Sequence, residues 1–144
     1  MRFEKDVQKA KEFLKGLARE IGVDDIQKAD RIFAAALRVL RRRISPQEYL
    51  DFIAQLPICL KAEAVHDWRL SDFPDKSIKH LDDFIEAVLE EDRKTAQKDF
   101  GDKERAKEMV RGVFSYLKKH ISEGEIKDLA AEMPKEIQEF ILNA

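Results

Sequence analysis

The clearest candidate for chemistry in this sequence is a set of arginines that begins at position 31. At 100° per residue, Arg31, Arg38 and Arg42 share one face of a predicted helix, opposite its apolar stripe. Together with the adjacent Arg41, this face could bind a phosphate, a nucleic acid or an acidic partner. The alternative role is structural, because cations in the last turn of a helix complement its dipole. A second basic helix end, Lys118-Lys119-His120, favours the structural role.

A second candidate is the sequence His66-Asp67-Trp68, which holds the only tryptophan of the chain. A histidine beside an aspartate could act as an oriented base, and Trp68 with His66 could line a ligand pocket. The interpretation that we favour is that Trp68 packs into the joint between two halves of the chain. Its indole N–H is then expected to donate to a backbone carbonyl.

Motifs for catalysis, cofactors and metals are missing from the sequence. The other histidines, His80 and His120, stand alone, and no His or Cys spacing typical of a metal site occurs. A glycine-rich phosphate loop and a nucleophile elbow are also absent. Cys59, the single cysteine, lies in an apolar stretch and is expected in the core rather than as a nucleophile. We therefore predict no catalytic residue, cofactor or metal, and we favour a protein that is not an enzyme.

The candidate residues are carried by predicted helices with clear boundaries. Apolar residues recur at three- and four-residue steps in a first helix, which Gly22 ends, and in a second, which Asp24 or Asp25 caps. The two predicted apolar stripes are Phe3, Val7, Ala10, Leu14, Leu17 and Ile21, and then Ala29, Ile32, Phe33, Ala36, Leu37, Leu40 and Ile44. Residues 67–75 lack periodicity and are expected to form a connector.

Short polar motifs mark the start of the next helices. Ser45 can accept from the backbone amide of Glu48, and Glu48 can reach back to the amide of Ser45, which is a capping box with proline at the first helical position. Pro57 ends that short helix and can begin another. Gln55 is polar in an apolar turn and could bind a ligand, or could tie the end of one helix to the start of another. The second role is ordinary and sufficient.

The second half of the chain repeats the pattern of the first. Residues 29–60 align without a gap on residues 106–137, with eight identities in 32 positions. The motif residues Ser45, Glu48, Gln55 and Pro57 correspond to Ser122, Glu125, Glu132 and Pro134. Glu132 cannot donate as an amide does, so the two turns are expected to differ in their hydrogen bonds. We predict an all-α fold of two tandem four-helix repeats, residues 1–70 and 71–144, packed as a single compact domain of eight helices.

The first copy contains a distinctive series of residues: Leu37, Leu40, Ile44, Ser45, Glu48 and the run Ala54-Gln55-Leu56-Pro57. This series resembles a bacterial family of uncharacterised proteins, domain of unknown function 2267. The resemblance covers nearly the whole chain and implies a bacterial origin, two copies of a repeat and an all-helical fold, but no reaction. The second copy departs from the motif, because Ala131-Glu132-Met133-Pro134 stands in place of the Ala-Gln-Leu-Pro run.

Composition limits the classes of protein further. Of the 144 residues 39% are charged, and Gly and Pro are few, which favours helices with solvated faces. A net charge of −2 argues against a dedicated nucleic-acid binder, and no run of apolar residues is long enough to span a membrane. Residues 1–70 nevertheless hold 14 Lys and Arg against 11 Asp and Glu, whereas residues 71–144 hold 13 against 18. Such halves could attract each other within one molecule or between two molecules.

These observations favour a soluble, cytoplasmic helical protein that is not a catalyst and that binds a protein partner or itself. The alternative is a small-ligand-binding protein or an enzyme with its site in the cleft between the repeats, near His66 and Trp68. A minor alternative is nucleic-acid binding through the face formed by Arg31, Arg38 and Arg42.

Overall fold

The computed structural model describes residues 2–144, and in this range the chain is all-helical, with no strand. Nine α-helices follow one another in the described residues: α1 (Phe3–Ile21), α2 (Ile26–Arg43), α3 (Pro46–Ile53), α4 (Ile58–Val65), α5 (Leu81–Glu91), α6 (Ala96–Asp99), α7 (Lys103–His120), α8 (Glu123–Ala131) and α9 (Lys135–Leu142). A single 3₁₀ turn, Leu70–Asp72, lies in the predicted connector. The all-α prediction is confirmed.

The described residues form one helix more than the eight or so that the sequence predicts. The extra helix is α6, a single turn of four residues in the loop between α5 and α7. Its last residue, Asp99, is buried and pairs with an arginine of α2. This ion pair gives the loop a fixed contact with the helical body, which the apolar pattern does not reveal.

The helix boundaries follow from local capping. Gly22 ends α1 with a φ of 76°, a left-handed conformation that glycine adopts without strain. Asp25 accepts from the amide of Gln27 at the start of α2, and Asp102 accepts from the amide of Arg105 at the start of α7. Both helices have 18 residues and end in three basic residues. These boundaries agree with the offset of the sequence alignment, and the duplication itself stays a prediction.

The apolar stripe of α2 is buried along its whole length, whereas that of α1 is buried only in part. Phe3 is 70% exposed and Val7 is 42% exposed, whereas Leu14 and Leu17 farther along α1 are buried. Cys59 is also exposed, at the start of α4, so its predicted place in the core is wrong. The apolar side of this short helix is instead occupied by Leu60 and Ala64.

The helices pack so that both halves of the chain share one hydrophobic core. Helix α1 contacts α2, α4 and α7, and α5 contacts α7, α9 and α2. The short helices α3 and α8 contact each other, and buried residues of all these helices belong to one cluster. In residues 2–144 we find no helix with the length and apolar character needed to cross a bilayer.

Candidate functional site

A polar cavity of about 460 Å³ opens at the C-terminal end of α2. Helix α2, the connector after α4 and the end of α5 supply its lining: Arg38, Arg41, Arg42, His66, Asp67, Arg69, Asp72, Asp75 and Glu91. Four of the six predicted site residues, namely Arg38, Arg41, Arg42 and His66, therefore lie around one space. Its size is typical of a site for a small molecule.

Arg41 forms the buried wall of this cavity and is only 7% exposed. Its Nη1 donates to the carbonyl of Ala64 at 3.0 Å and to the carbonyl of His66 at 2.7 Å. The hydroxyl of Tyr49 donates to the same Ala64 carbonyl at 2.7 Å. Arg41 thus binds the C-terminal carbonyls of α4, whereas the dipole argument placed it at the end of its own helix. Burial lowers the pKa of Arg41, and guanidinium remains charged in proteins despite such shifts.

The cation at the corresponding place in the second half has the same contacts. Lys118 Nζ donates to the carbonyls of Leu142 and Ala144, at the end of α9. A lysine therefore suffices to bind the end of the second helix after its own. Arg41 uses only Nη1 for this purpose, and its Nε and Nη2 donate to no acceptor among residues 2–144.

Most of the other charges around the cavity are already paired. Arg42 lies 3.2 Å from the carboxylate of Glu91 and 3.7 Å from that of Asp75. Arg69 Nε lies 3.6 Å from Asp72 Oδ2, and His66 Nε2 lies 3.3 Å from Asp67 Oδ2. Within the described part of the chain, Arg38 and Arg41 are the lining cations that have no carboxylate partner.

Arg31, a fifth predicted site residue, lies outside this cavity. Its Nε and Nη2 donate to the two carboxylate oxygens of Asp99 at 2.9 and 2.8 Å. Burial alone would raise the pKa of Asp99. Hydrogen bonds from Arg31 and other neighbours outweigh burial and lower this pKa to about 2. Arg31 also lines a second cavity of about 300 Å³, which shares Arg38 with the first. Two arginines of the predicted nucleic-acid face, Arg31 and Arg42, are therefore engaged in ion pairs.

Trp68 is not one of the residues that line the cavity, so the structure does not bring it together with the candidate arginines there. Its ring packs edge-on against Tyr49, with 5.1 Å between the ring centroids. The indole Nε1 is enclosed and has no hydrogen-bond partner, contrary to the expected bond to a carbonyl. Trp68 therefore supports the wall of the cavity indirectly, through the tyrosine that shares the Ala64 carbonyl with Arg41.

The polar motif residues join the two halves of the chain at a place away from the cavity. Gln55 Oε1 accepts from the backbone amide of Ser122 at 2.9 Å, and its Nε2 donates to the hydroxyl of Ser122 at 3.3 Å. Reciprocally, Glu132 accepts from the backbone amide of Ser45 at 2.6 Å and from its hydroxyl at 3.1 Å. The predicted tie through Gln55 and the predicted difference between the two turns are both confirmed.

The predicted capping box is only half correct. Ser45 accepts from the amide of Glu48, and Ser122 accepts from the amide of Glu125, as expected. The serine amide, however, donates to the opposite half of the chain and not to the glutamate three residues later. Glu132 provides the acceptor for Ser45, and this leaves Glu48 free to turn elsewhere.

Glu48 and Glu125 face each other where α3 meets α8. Burial and then a hydrogen bond with the Glu48 carboxyl raise the pKa of Glu125 to about 8. Oxygens of Glu48, Glu125 and Asp128 lie within 4.8 Å of one another. A proton shared between the first two carboxyls would relieve their repulsion, and we assign no metal ion to this cluster.

Sequence reasoning missed the partners that complete the cavity. Asp75 and Glu91 come from segments far along the chain from Arg42, and nothing local indicates that they approach it. Tyr49 was predicted as an apolar residue of α3, and its hydroxyl bond to Ala64 depends on how α3 packs on α4. The run of arginines was the one signal present in the sequence.

Comparison with known proteins gives a family but no activity. The family model described as uncharacterized conserved protein (DUF2267) matches residues 10–140, which is most of the chain. No curated protein matches it.

Proposed function

The chain belongs to the DUF2267 family of uncharacterized conserved proteins, and because that description names no activity, we propose a function from the cavity itself. We propose that the protein binds a small anionic ligand against Arg38 and Arg41. The observation that carries the proposal is the state of its buried charges. Of the two charged side chains that are buried in residues 2–144, Asp99 has an ion pair with Arg31, but Arg41 has no carboxylate partner.

An unpaired buried charge is costly, so its presence needs a reason. Burial of a charge is tolerated when the charge is paired or hydrogen-bonded, and the hydrogen bonds of Arg41, with two backbone carbonyls and with the Tyr49 side chain, include no anionic partner. Lys118 performs the same helix-end role without the additional donors. An anion in the cavity would pair with the remaining N–H groups of Arg41 and with the neighbouring Arg38.

The position of the cavity supports a ligand role over the partner role that the sequence put first. The cavity lies between Arg38, Arg41 and Arg42 of the first predicted repeat and Asp75 and Glu91 of the second. The exposed large apolar side chains, by contrast, are distributed over α1, α3, α4, the 3₁₀ turn and α9: Phe3, Val7, Leu50, Ile58, Val65, Leu70 and Leu142. Binding of a protein partner or of a second copy stays a prediction, as does nucleic-acid binding.

A cytoplasmic location is part of the proposal, supported by a single cysteine that has no disulfide partner.

A thermal-shift experiment tests the proposal. Inorganic phosphate, sulfate and citrate are added to the wild-type protein at constant ionic strength, with chloride as the reference anion. An anion present at 100 times its Kd should raise the free energy of unfolding by about 2.7 kcal/mol. This corresponds to a rise of several degrees in Tm. The same titration is repeated with Arg38→Gln, which removes an unpaired lining cation, and with Arg105→Gln, which removes an exposed arginine on α7.

We expect at least one of these anions to stabilise the wild type and Arg105→Gln alike, and to stabilise Arg38→Gln much less. Equal stabilisation of all three proteins would place the anion elsewhere. No stabilisation of the wild type by any of the anions would contradict the proposed function.

A further inference from the structure

The cavity at the end of α2 is lined by equal numbers of opposite charges. Four arginines and four carboxylates face it, so its formal charge is zero when His66 is neutral. A simple anion bound to Arg38 and Arg41 is therefore repelled by acidic side chains in the same small space. A ligand that carries a positive group beside its anionic group avoids this repulsion, because each of its charges can face the opposite charge.

The two signs of charge come from different segments of the chain. Arg38, Arg41 and Arg42 belong to α2, whereas Asp75 lies in the connector and Glu91 ends α5. Within residues 2–144, Arg42 is the cation within 4 Å of either of these carboxylates, so two negative charges share one guanidinium. The cavity is thus neutral as a whole, with unpaired positive charge at Arg38 and Arg41 and an excess of negative charge beside Asp75 and Glu91.

Each of the two carboxylates keeps one oxygen that accepts no hydrogen bond in residues 2–144. Glu91 accepts from Arg42 Nη1 through Oε2, at 3.2 Å. Asp75 accepts from Ser77 through Oδ1, and its Oδ2 lies 3.7 Å from Arg42 Nε, which is beyond hydrogen-bond distance. The remaining oxygens, Glu91 Oε1 and Asp75 Oδ2, are not enclosed by protein. They are therefore open to a donor that enters the cavity.

We infer that the ligand is a small zwitterion, whose anionic group binds Arg38 and Arg41 and whose ammonium group binds Asp75 and Glu91. The inference rests on the proposed function for the anionic group and adds the ammonium group to it. An ammonium has three N–H donors, so it can bind both carboxylates at once through charge-assisted hydrogen bonds. An amino acid is the simplest ligand class with this pair of charges, and a cavity of about 460 Å³ accommodates it.

Pairs of probes that differ only in the ammonium group test this inference. The ω-amino acids from glycine to 6-aminohexanoate are each compared with the alkanoate of the same chain length, so that the distance between the two charges is varied. Affinities are measured by isothermal titration calorimetry at constant ionic strength and pH 7, where carboxylate and alkylammonium groups are both charged. The proteins are the wild type, Arg38→Gln, Glu91→Gln and the control Glu90→Gln, which removes a 71% exposed carboxylate outside the cavity.

We expect at least one ω-amino acid to bind the wild type and Glu90→Gln about tenfold more tightly than its alkanoate. In Glu91→Gln this ratio should fall to about threefold or less, because the ammonium loses one carboxylate. The alkanoate should bind Glu91→Gln at least as tightly as the wild type, since a repelling charge is removed. Arg38→Gln should weaken the binding of both members of a pair and leave their ratio close to that of the wild type.

The comparison of probes in the wild type is decisive without any variant. If no ω-amino acid bound the wild type more tightly than its alkanoate, the zwitterion inference would be overturned, while anion binding would stand. A ratio that stayed at its wild-type value in Glu91→Gln would overturn the place given to the ammonium. Undiminished binding of both probes to Arg38→Gln would instead contradict the proposed function, which the thermal-shift experiment with inorganic anions tests separately.

Discussion

At the scale of single residues, the same helix-end contact is made by two different cations. Lys118 and Arg41 each bind two carbonyls at the end of the second helix after their own, and this contact accounts for a cation at both places. It does not account for the choice of arginine in the first half. The two additional nitrogens of Arg41, at the wall of a cavity, are what the proposed ligand role explains.

Replacement of Arg41 by lysine should separate the structural contact from ligand binding. In Arg41→Lys the ammonium can bind the Ala64 and His66 carbonyls as Lys118 does at α9, so we expect a loss of stability of about 1 kcal/mol or less. Phosphate affinity should fall by about tenfold, because the bidentate fork is lost. Urea unfolding and calorimetric titration check the two effects. Full phosphate affinity in a stably folded Arg41→Lys would contradict the role given to the guanidinium.

The carboxyl pair at the contact of α3 and α8 should make stability depend on pH. The pKa of Glu125 in the folded protein, about 8, lies above its ordinary value of 4.5. The folded protein therefore holds a proton that the unfolded chain releases, and stability falls as the pH rises from about 4.5 through 8. Glu125→Gln can still donate to Glu48 but does not titrate. Between pH 5 and 8.5 we expect it to lose about 1–2 kcal/mol less stability than the wild type in urea unfolding.

Glu123→Gln is the matched control for this measurement, because Glu123 lies on the same helix, is largely exposed and pairs only with Lys127. It should show the pH dependence of the wild type. Burial and a hydrogen bond with Asp30 raise the pKa of Glu63 to about 8 as well, so a dependence of the same sign remains in both variants. A pH profile of Glu125→Gln identical to that of the control would rule out proton sharing at this contact.

At the scale of helices, the starts of α3 and α8 are capped by residues of the opposite half. Each serine hydroxyl serves its own helix, while each serine amide is bound by the side chain of a distant turn, Glu132 or Gln55. The reciprocal arrangement fixes the relative position of the two short helices. The hydrogen bond between Glu132 and Ser45 has the carboxylate as acceptor and is the shorter of the two amide bonds.

Alanine substitutions should show that these caps contribute to stability. We expect Gln55→Ala and Glu132→Ala each to cost about 1 kcal/mol, the usual loss for one net hydrogen bond. Glu132→Gln can reproduce the contacts that Gln55 makes with Ser122, so it should cost about half a kcal/mol or less. Urea unfolding of the three variants checks this order. If Glu132→Gln proved as damaging as Glu132→Ala, the interpretation of this turn would fail.

Local sequence predicted the main helices but not α6, and it did not predict which residues the helices would contact. The period of apolar residues predicted the buried face of α2, and Gly22 and Asp25 marked the ends of helices, because each signal acts within a few residues. The exposure of Phe3 depends on how far neighbouring helices extend along α1, which periodicity does not encode. The acceptor of the Ser45 amide lies 87 residues away, and the acids around Arg42 are similarly remote. The site was therefore predictable as a set of arginines but not as a cavity.

At the scale of the whole molecule, opposite charges of the two halves meet inside one chain. Arg31 pairs with Asp99, Arg42 pairs with Glu91, and Lys119 of the second half pairs with Glu20 of the first at 2.6 Å. The pairs of Arg31 and Arg42 offset part of the positive excess of residues 1–70 and of the negative excess of residues 71–144, whereas the pair of Lys119 runs in the opposite direction. Attraction between molecules stays a prediction, and any such self-association should weaken as the salt concentration rises.

The pair between Arg31 and Asp99 should be the most important of these contacts for stability. Asp99 is buried, and its neighbour Asp92 has a pKa raised to about 6 by burial and by a hydrogen bond with Asp99. Without Arg31 these two carboxyls would face each other uncompensated. We expect Arg31→Gln to cost about 3 kcal/mol at pH 7 in urea unfolding. Arg105→Gln, which removes an exposed arginine, should change stability by about half a kcal/mol or less. If Arg31→Gln and Arg105→Gln were equally stable, the stabilising role of the Arg31–Asp99 pair would be contradicted.

The most direct test of the central claim, that the cavity at the end of α2 binds an anion, is to observe the two unpaired arginines during a titration. The Nε–Hε signals of Arg38 and Arg41 are followed by NMR while inorganic phosphate is added at constant ionic strength. The account predicts that both signals shift with one saturating curve, together with the backbone amides of His66 and Asp67, while the signal of Arg105 does not move. If the Arg38 and Arg41 signals stayed in place, or shifted no more than that of Arg105, the cavity would not be the anion site.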